Sequence, residues 1–289
     1  MSFSRDMIKK HNIRLSKRFG QNFLTDENVL RSIIDSAQIT KEDIIVEVGP
    51  GAGTLTRALC EKAGFVLAIE IDTSLKPALD EALMGYSNSE VLFADAMKLS
   101  LKEKIDTIKQ DRGLKNAKVV ANLPYYITTP LVMKFLEEER YFDSLTFMIQ
   151  KEVAQRMIAK PGKKDYGALS VAVQYYTAPN IEFIVPPHCF FPEPDVFSSV
   201  VKLEVYKDMP VKVEDEALFF KVIKAAFGQR RKTLSNALTN LGGFCLTKEK
   251  IIDILESTNI LPNQRGETLS VQEFANLSDK IKEGMVKKN

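Results

Sequence analysis

The sequence predicts an α/β protein, with a mainly parallel sheet covered by helices on both faces and a small all-helical domain at the C-terminal end. Three observations predict it. Short apolar runs alternate with amphipathic stretches over the first two-thirds of the 289 residues, the pattern of a parallel sheet buried on both faces. One of these runs ends in a glycine cluster that opens a helix. Beyond Pro210, in a charged connector, strand-like runs stop and helical spacing takes over. The expected boundaries are a basic arm and lid over 1–25, a sheet domain over 26–207 and a helical domain over 208–289.

Asn28–Ala37 reads as a helix, with Leu30, Ile33, Ile34 and Ala37 on one face and Asp26 as its cap. Ile44–Val48 is a buried strand ending in Gly49-Pro50-Gly51, and a helix follows over Thr54–Lys62. Phe65–Ile69 is a strand ending at Glu70. Ser74–Met84 is helical. Val91–Ala94 ends at Asp95, and Val119–Ala121 ends at Asn122. Pro130–Glu138 is a helix, Leu145–Ile149 a strand and Lys151–Ala159 a helix. Leu169–Tyr176 fits either period. Ile181–Val185 and Ser199–Val205 read as a closing pair of strands. Ala217–Phe227, Thr233–Leu241, Lys248–Ser257 and Val271–Ile281 are the helices of the second domain.

Composition removes several classes. Hydrophobic residues are 45% and charged residues 27%, values of a globular chain rather than a disordered or fibrous one. The longest stretch without Asp, Glu, Lys or Arg, Tyr166–Ile181, is 16 residues and contains Gln174, Pro179 and Asn180. A membrane helix needs about 20 apolar residues, so no span is expected. The first residues lack the apolar core of a signal peptide. Cys60, Cys189 and Cys245 are widely spaced, which points to a reducing cytoplasm, and two histidines argue against a histidine-based metal centre.

The net charge of +2 hides a pattern. Residues 1–20 carry +5 and residues 217–248 carry +6, which leaves −9 for the rest. Clustered basic charge is the footprint of nucleic-acid binding, although two solvated basic faces would read the same.

In parallel sheets ligands bind beyond the carboxyl ends of the strands. Four predicted strand ends carry conspicuous residues. Glu47-Val-Gly-Pro-Gly-Ala-Gly53 lets backbone approach a ligand closely at a helix start. Its spacing is not that of a dinucleotide fold, and a tight structural turn is the alternative. Glu70 is placed to accept hydrogen bonds from a ribose diol. Asp95 can accept from an adenine amine, or cap the helical segment that follows. Together these favour a nucleoside cofactor.

Asn122-Leu-Pro-Tyr125 is the sharpest motif. The amino group of adenine or cytosine is a poor nucleophile because its lone pair is delocalised into the ring. The Asn122 amide oxygen and the Pro124 carbonyl could accept its hydrogens and draw the nitrogen toward tetrahedral geometry, while the Tyr125 ring stacks on the base. A strand-terminating turn is the alternative.

The chain resembles the S-adenosylmethionine-dependent rRNA adenine dimethyltransferases. The resemblance spans about Asn12 to about Ser270 and rests on six stretches in order: Lys17–Leu24, Glu47–Gly53, Asn122–Tyr125, Gln150–Arg156, Pro186–Val201 and Phe227–Asn236. It implies a class I, Rossmann-like methyltransferase with a seven-stranded sheet and a helical C-terminal domain. It implies that Gln21, Asn22 and Leu24 cover the methionine part of S-adenosylmethionine. Gly49, Gly51 and Ile71 would lie against the cofactor, Glu70 would hold its ribose, and Asp95 with Ala96 would read its adenine. Asn122 would serve the methyl-transfer centre. Phe190 would stack on the target base opposite Tyr125. Phe191 and Phe197 depart from the smaller or polar side chains expected beside it. Lys17, Arg18, Lys221, Lys224, Arg230, Arg231 and Lys232 would grip RNA.

The implied activity is dimethylation of two adjacent adenines near the 3′ end of small-subunit (16S) rRNA, by a cytoplasmic, metal-free monomer. Alternatives are a large-subunit rRNA adenine methyltransferase of the macrolide-resistance type and a non-catalytic RNA-binding assembly factor. Arg230–Asn236 argues against the first, and the intact Asn122–Tyr125 motif against the second.

Overall fold

The computed structural model describes residues 3–13, 20–229 and 231–286. The chain forms two compact units, 1–154 with 178–205, and 155–177 with 206–289.

Among the described residues the first unit is built on nine strands: β1 Phe23–Leu24, β2 Asp43–Val48, β3 Phe65–Glu70, β4 Ser89–Phe93, β5 Asn116–Asn122, β6 Ser144–Gln150, β7 Thr177–Val185, β8 Phe190–Phe191 and β9 Ser198–Val205. Seven of them form one sheet in the order β4-β3-β2-β5-β6-β9-β7. From β4 to β6 the pairing is parallel, and β9 runs antiparallel to β6 with Phe147 opposite Val201. Ile44, Ile45, Val46, Val66 and Leu67 are fully buried, as a sheet covered on both faces requires. Helices α2 (Glu27–Ala37) and α3 (Thr54–Lys62) press Ile33, Ile34, Ala37, Leu55 and Leu59 onto Ile45, Val66, Val120, Met148 and Val200. The Asp26 carboxylate caps α2, accepting the Asn28 and Val29 amides. β1 and β8 form a separate two-stranded ribbon, with Phe23 opposite Phe191 and Leu24 opposite Phe190.

Some local features add to the sequence reading or differ from it. The first turns of the arm are an ordered helix, α1 (Phe3–Lys10), which buries Met7 and Ile8. Its basic residues are partly matched, since Lys10 and His11 both meet Glu81, at 2.5 and 2.9 Å. Ser74–Met84 is a short 3-10 turn followed by α4 (Lys76–Ala82). A helix, α5 (Lys102–Arg112), begins seven residues beyond Asp95, so Asp95 instead caps a turn through the Met97 amide at 3.0 Å. Only Ile105 of α5 is buried, which leaves little periodicity to read. The remaining helices here are α6 (Thr128–Glu137) and α7 (Lys151–Ile158), whose residues from 155 on belong to the second unit.

The second unit holds α8 (Ala168–Tyr176), α9 (Glu216–Gly228), α10 (Leu234–Leu241), α11 (Lys248–Ser257) and α12 (Val271–Val286). The expected boundary at residue 208 is therefore corrected, because 155–177 belongs with the helices. The reason is aromatic packing. Tyr175 meets Phe219 at 4.7 Å between centroids, Tyr176 stacks on Phe220 at 5.6 Å, and the Tyr166 hydroxyl donates to the Leu269 carbonyl at 2.7 Å. The ambiguous, uncharged stretch is a helix buried in this cluster.

Candidate active site

One cavity lies at the carboxyl ends of β2, β3 and β5. It is lined by all ten residues expected to bind a cofactor: Gln21, Asn22, Leu24, Gly49, Gly51, Glu70, Ile71, Asp95, Ala96 and Asn122. A cleft beside it is lined by Gly20, Gln21, Asn22, Tyr125, Gln150 and Pro192–Val196.

The glycine turn after β2 needs its glycines. Gly51 has φ +59°, and a Cβ there would stand 2.9 Å from the Phe23 ring. Gly53 has φ +81°, and its Cβ would stand 2.7 Å from the Ala82 methyl. The turn thus closes against β1 on one side and α4 on the other.

Glu70 ends β3 and is almost fully buried. Its carboxylate accepts the Asp72 amide at 2.9 Å and the Gly51 amide at 3.3 Å. Burial nevertheless raises its pKa above the ordinary carboxylate value. Glu47, on β2, lines the same cavity and is buried, and its Oε2 has no hydrogen-bond partner among the described residues. Burial first, and then the nearby Glu70, push its pKa up to about 8. Asp95 keeps one oxygen on the Met97 amide, and Lys98 stands 3.7 Å from the other.

Asn122 ends β5. Its amide nitrogen donates to the Asn22 carbonyl at 2.9 Å, which fixes the side chain and leaves Oδ1 as the acceptor end. The Gln21–Leu24 stretch and the Asn122 motif, 100 residues apart, therefore form one device. The Pro124 carbonyl differs from its expected role, because it closes the turn by accepting the Ile127 amide at 3.2 Å and the Thr128 hydroxyl at 3.1 Å. Both lone-pair directions are occupied. The Leu123 residue lines the cavity too, and among the described residues no donor engages its carbonyl. The Tyr125 hydroxyl meets Ser198 Oγ at 2.7 Å, and its ring borders both the cavity and the cleft.

A set of strand-end carboxylates, a glycine turn and an oriented amide suits a nucleoside-bearing cation and an amine substrate. The matching family model agrees: "Ribosomal RNA adenine dimethylase", over residues 12–283. The chain belongs to the ribosomal RNA adenine dimethylase family. Its relatives include the ribosomal RNA small subunit methyltransferase A of Alkaliphilus metalliredigens (strain QYMF), 51% identical over 97% of this chain and 96% of the relative. The protein of the same name from Clostridioides difficile (strain 630) is 49% identical over 96% and 94%. A dimethyladenosine transferase from Plasmodium falciparum superposes with a TM-score of 0.74 at 26% identity, covering 88% of this chain and 95% of that one. The 23S rRNA methyltransferase ErmE does so at 0.66 and 21% identity, over 90% and 100%, and at that identity the likeness shows the shared fold alone. The fold is that of the class I S-adenosylmethionine-dependent methyltransferases.

Within this family member, Phe190 is not at the site. It is fully buried in the cluster under α2 and α3 and lines neither opening. Pairing with Leu24 in the β1–β8 ribbon turns it into the core, so core packing is its role here. Phe191 packs beside Phe23 and α1, with Arg5 5.2 Å above its ring. Lys17, Arg18 and Arg230 lie outside the described residues. Lys221 and Lys224 are exposed on one face of α9, and Arg231 and Lys232 are exposed in the following turn. Lys221 also donates to the Gly243 carbonyl at 3.1 Å.

Sequence reasoning missed Ser4, Phe23, Glu47 and Tyr126 as cavity residues. Glu47 had a signal, a lone carboxylate in the apolar run Ile44–Val48. Ser4 had none. It is placed by α1, and its hydroxyl donates to the Leu24 carbonyl at 2.6 Å. Among the described residues no helix is long and apolar enough to cross a membrane, and no cluster of His, Cys, Asp and Glu could hold a metal.

Proposed function

We propose that this protein methylates the 6-amino groups of two adjacent adenines near the 3′ end of 16S rRNA, each twice, during assembly of the small ribosomal subunit. It acts in the cytoplasm as a monomer, with S-adenosylmethionine as cofactor. The observation that carries this reading is the Asn122 amide, pinned by the Asn22 carbonyl inside the cavity that all ten expected cofactor residues line. Relatives that share about half the residues over nearly the whole chain support the small subunit over the large one as substrate.

The residues fit the cofactor by their chemistry. Glu70 accepts from the ribose hydroxyls, Asp95 from the adenine amine, and Ile71 offers an exposed apolar surface to the ring. Glu47 has a buried oxygen without a partner, which an ammonium or an ordered water would satisfy. When bound, S-adenosylmethionine supplies an electrophilic methyl carbon next to a positively charged sulfur.

Asn122 Oδ1 and the Leu123 carbonyl accept the two hydrogens of the target amine. This localises the nitrogen lone pair and aims it into the cavity. Tyr125 holds the base by stacking, and Ser198 holds Tyr125. The adenine must leave its stack to reach this point, and a mobile single-stranded segment lowers that cost. Positioning provides most of the acceleration, and the proton leaves to water. Lys221, Lys224, Arg231 and Lys232, with the basic residues of the N-terminal cluster, supply phosphate contacts.

The test is transfer of labelled methyl groups to unmethylated 30S particles, with the modified positions mapped. Asn122→Ala is expected to abolish transfer while RNA binding stays near wild type. Full activity in that variant, or transfer to protein-free large-subunit RNA but not to 30S particles, would overturn the reading.

A further inference from the structure

Single exposed apolar side chains are ordinary on a protein surface. Among the described residues nine large ones are exposed, and three of them line the cavity or the cleft beside it. Ile71 and Tyr126 line the cofactor cavity, Val196 lines the cleft beside it, and Phe197 follows Val196 in the chain. Phe197 is half exposed, at 50%. Its position is fixed from both sides. Its carbonyl accepts the Lys151 amide at 2.9 Å, and the next residue, Ser198, pairs with Gln150 in the sheet and touches the Tyr125 hydroxyl. The Lys151 ammonium stands 5.8 Å from the Phe197 ring centroid. An aromatic ring held in the open beside a lysine, between cleft-lining Val196 and the Ser198 that holds Tyr125, is poorly explained by packing.

We propose that Phe197 and Lys151 form a platform for the nucleotide adjacent to the target adenine: the ring stacks the base and the ammonium takes its phosphate. The proposal rests on the RNA reading above. Drawing one adenine into the cleft unstacks its neighbour, and an exposed aromatic ring replaces that lost stacking for any base. Charge sets the path of the strand. Exposed Glu193 and Asp195 line the cleft and repel phosphate, so the backbone is directed to the Lys151 side and the bases toward the cleft. With two neighbouring adenines as substrate, the platform receives one while the other reacts.

The experiment is steady-state methylation of unmethylated 30S particles with labelled S-adenosylmethionine, alongside equilibrium binding of the cofactor. Phe197→Ala is expected to raise KM for the particles about tenfold, within the range of one base–aromatic stack. The change should lie in KM rather than kcat, with cofactor affinity unmoved. Phe197→Trp should restore KM, because the requirement is a flat ring. Lys151→Ala should raise KM and make it less sensitive to salt. A Phe197→Ala KM within twofold of wild type overturns the proposal, and so does a tryptophan variant as weak as the alanine one. Wild-type protein that transfers nothing to 30S particles overturns the RNA reading itself, a result distinct from these.

Discussion

Replacing Glu47 by Gln isolates the most unusual electrostatic feature of the cavity. The folded carboxyl has a pKa raised from 4.5 to about 8, by burial and by Glu70, and one of its oxygens has no partner among the described residues. Below pH 4.5 the group is protonated in both folded and unfolded chains and has no effect. Between pH 4.5 and 8 the folded protein holds a proton that the unfolded chain has released. Stability is therefore lost as pH rises, by about 1.4 kcal/mol per pH unit. Across the window the loss amounts to about 5 kcal/mol, and to about 3 kcal/mol at pH 7. Glutamine has the same shape and no titration. Urea unfolding of both proteins at pH 5, 6.5 and 8 reads the effect as a difference, in which groups not coupled to Glu47 cancel. The Gln variant should be near wild type at pH 5 and more stable by a few kcal/mol at pH 8. A difference that stays constant with pH would show that Glu47 ionises in the fold as it does in water, and would refute the reasoning.

Gly51→Ala forces a residue at φ +59° and places a methyl group against Phe23, so cofactor binding should weaken at least tenfold and calorimetry should detect it. Ser198→Ala removes the bond to the Tyr125 hydroxyl, worth about 1 kcal/mol, so kcat should fall about fivefold. Tyr125→Phe should have a similar effect, and the double variant should be no worse than either single, which additive losses would contradict. Lys221→Gln and Lys224→Gln should each weaken RNA binding and lower the slope of log affinity against log salt by about one. A slope unchanged in both variants would remove α9 from the RNA contact.

The cavity at the strand ends was legible because strand ends are legible. Apolar runs stop where the chain leaves the sheet, and in a parallel sheet those stops share one edge. Gly49, Glu70, Asp95 and Asn122 converge for that reason. The family motifs placed Gln21, Asn22 and Leu24 there as well. α5 and the 155–177 boundary were not legible, one because a single buried isoleucine leaves no period, the other because aromatic residues choose their partners only in three dimensions.

By itself, then, the sequence determined the sheet, the helical second unit and the residues at the strand ends, since periodicity and glycine chemistry act locally. Tertiary structure alone decided how those residues are set. It pinned the Asn122 amide to Asn22, occupied the Pro124 carbonyl, turned Phe190 into the core and left Phe197 exposed. Orientation, burial and hydrogen-bond occupancy depend on neighbours distant in the chain, and spacing along one strand carries no record of them.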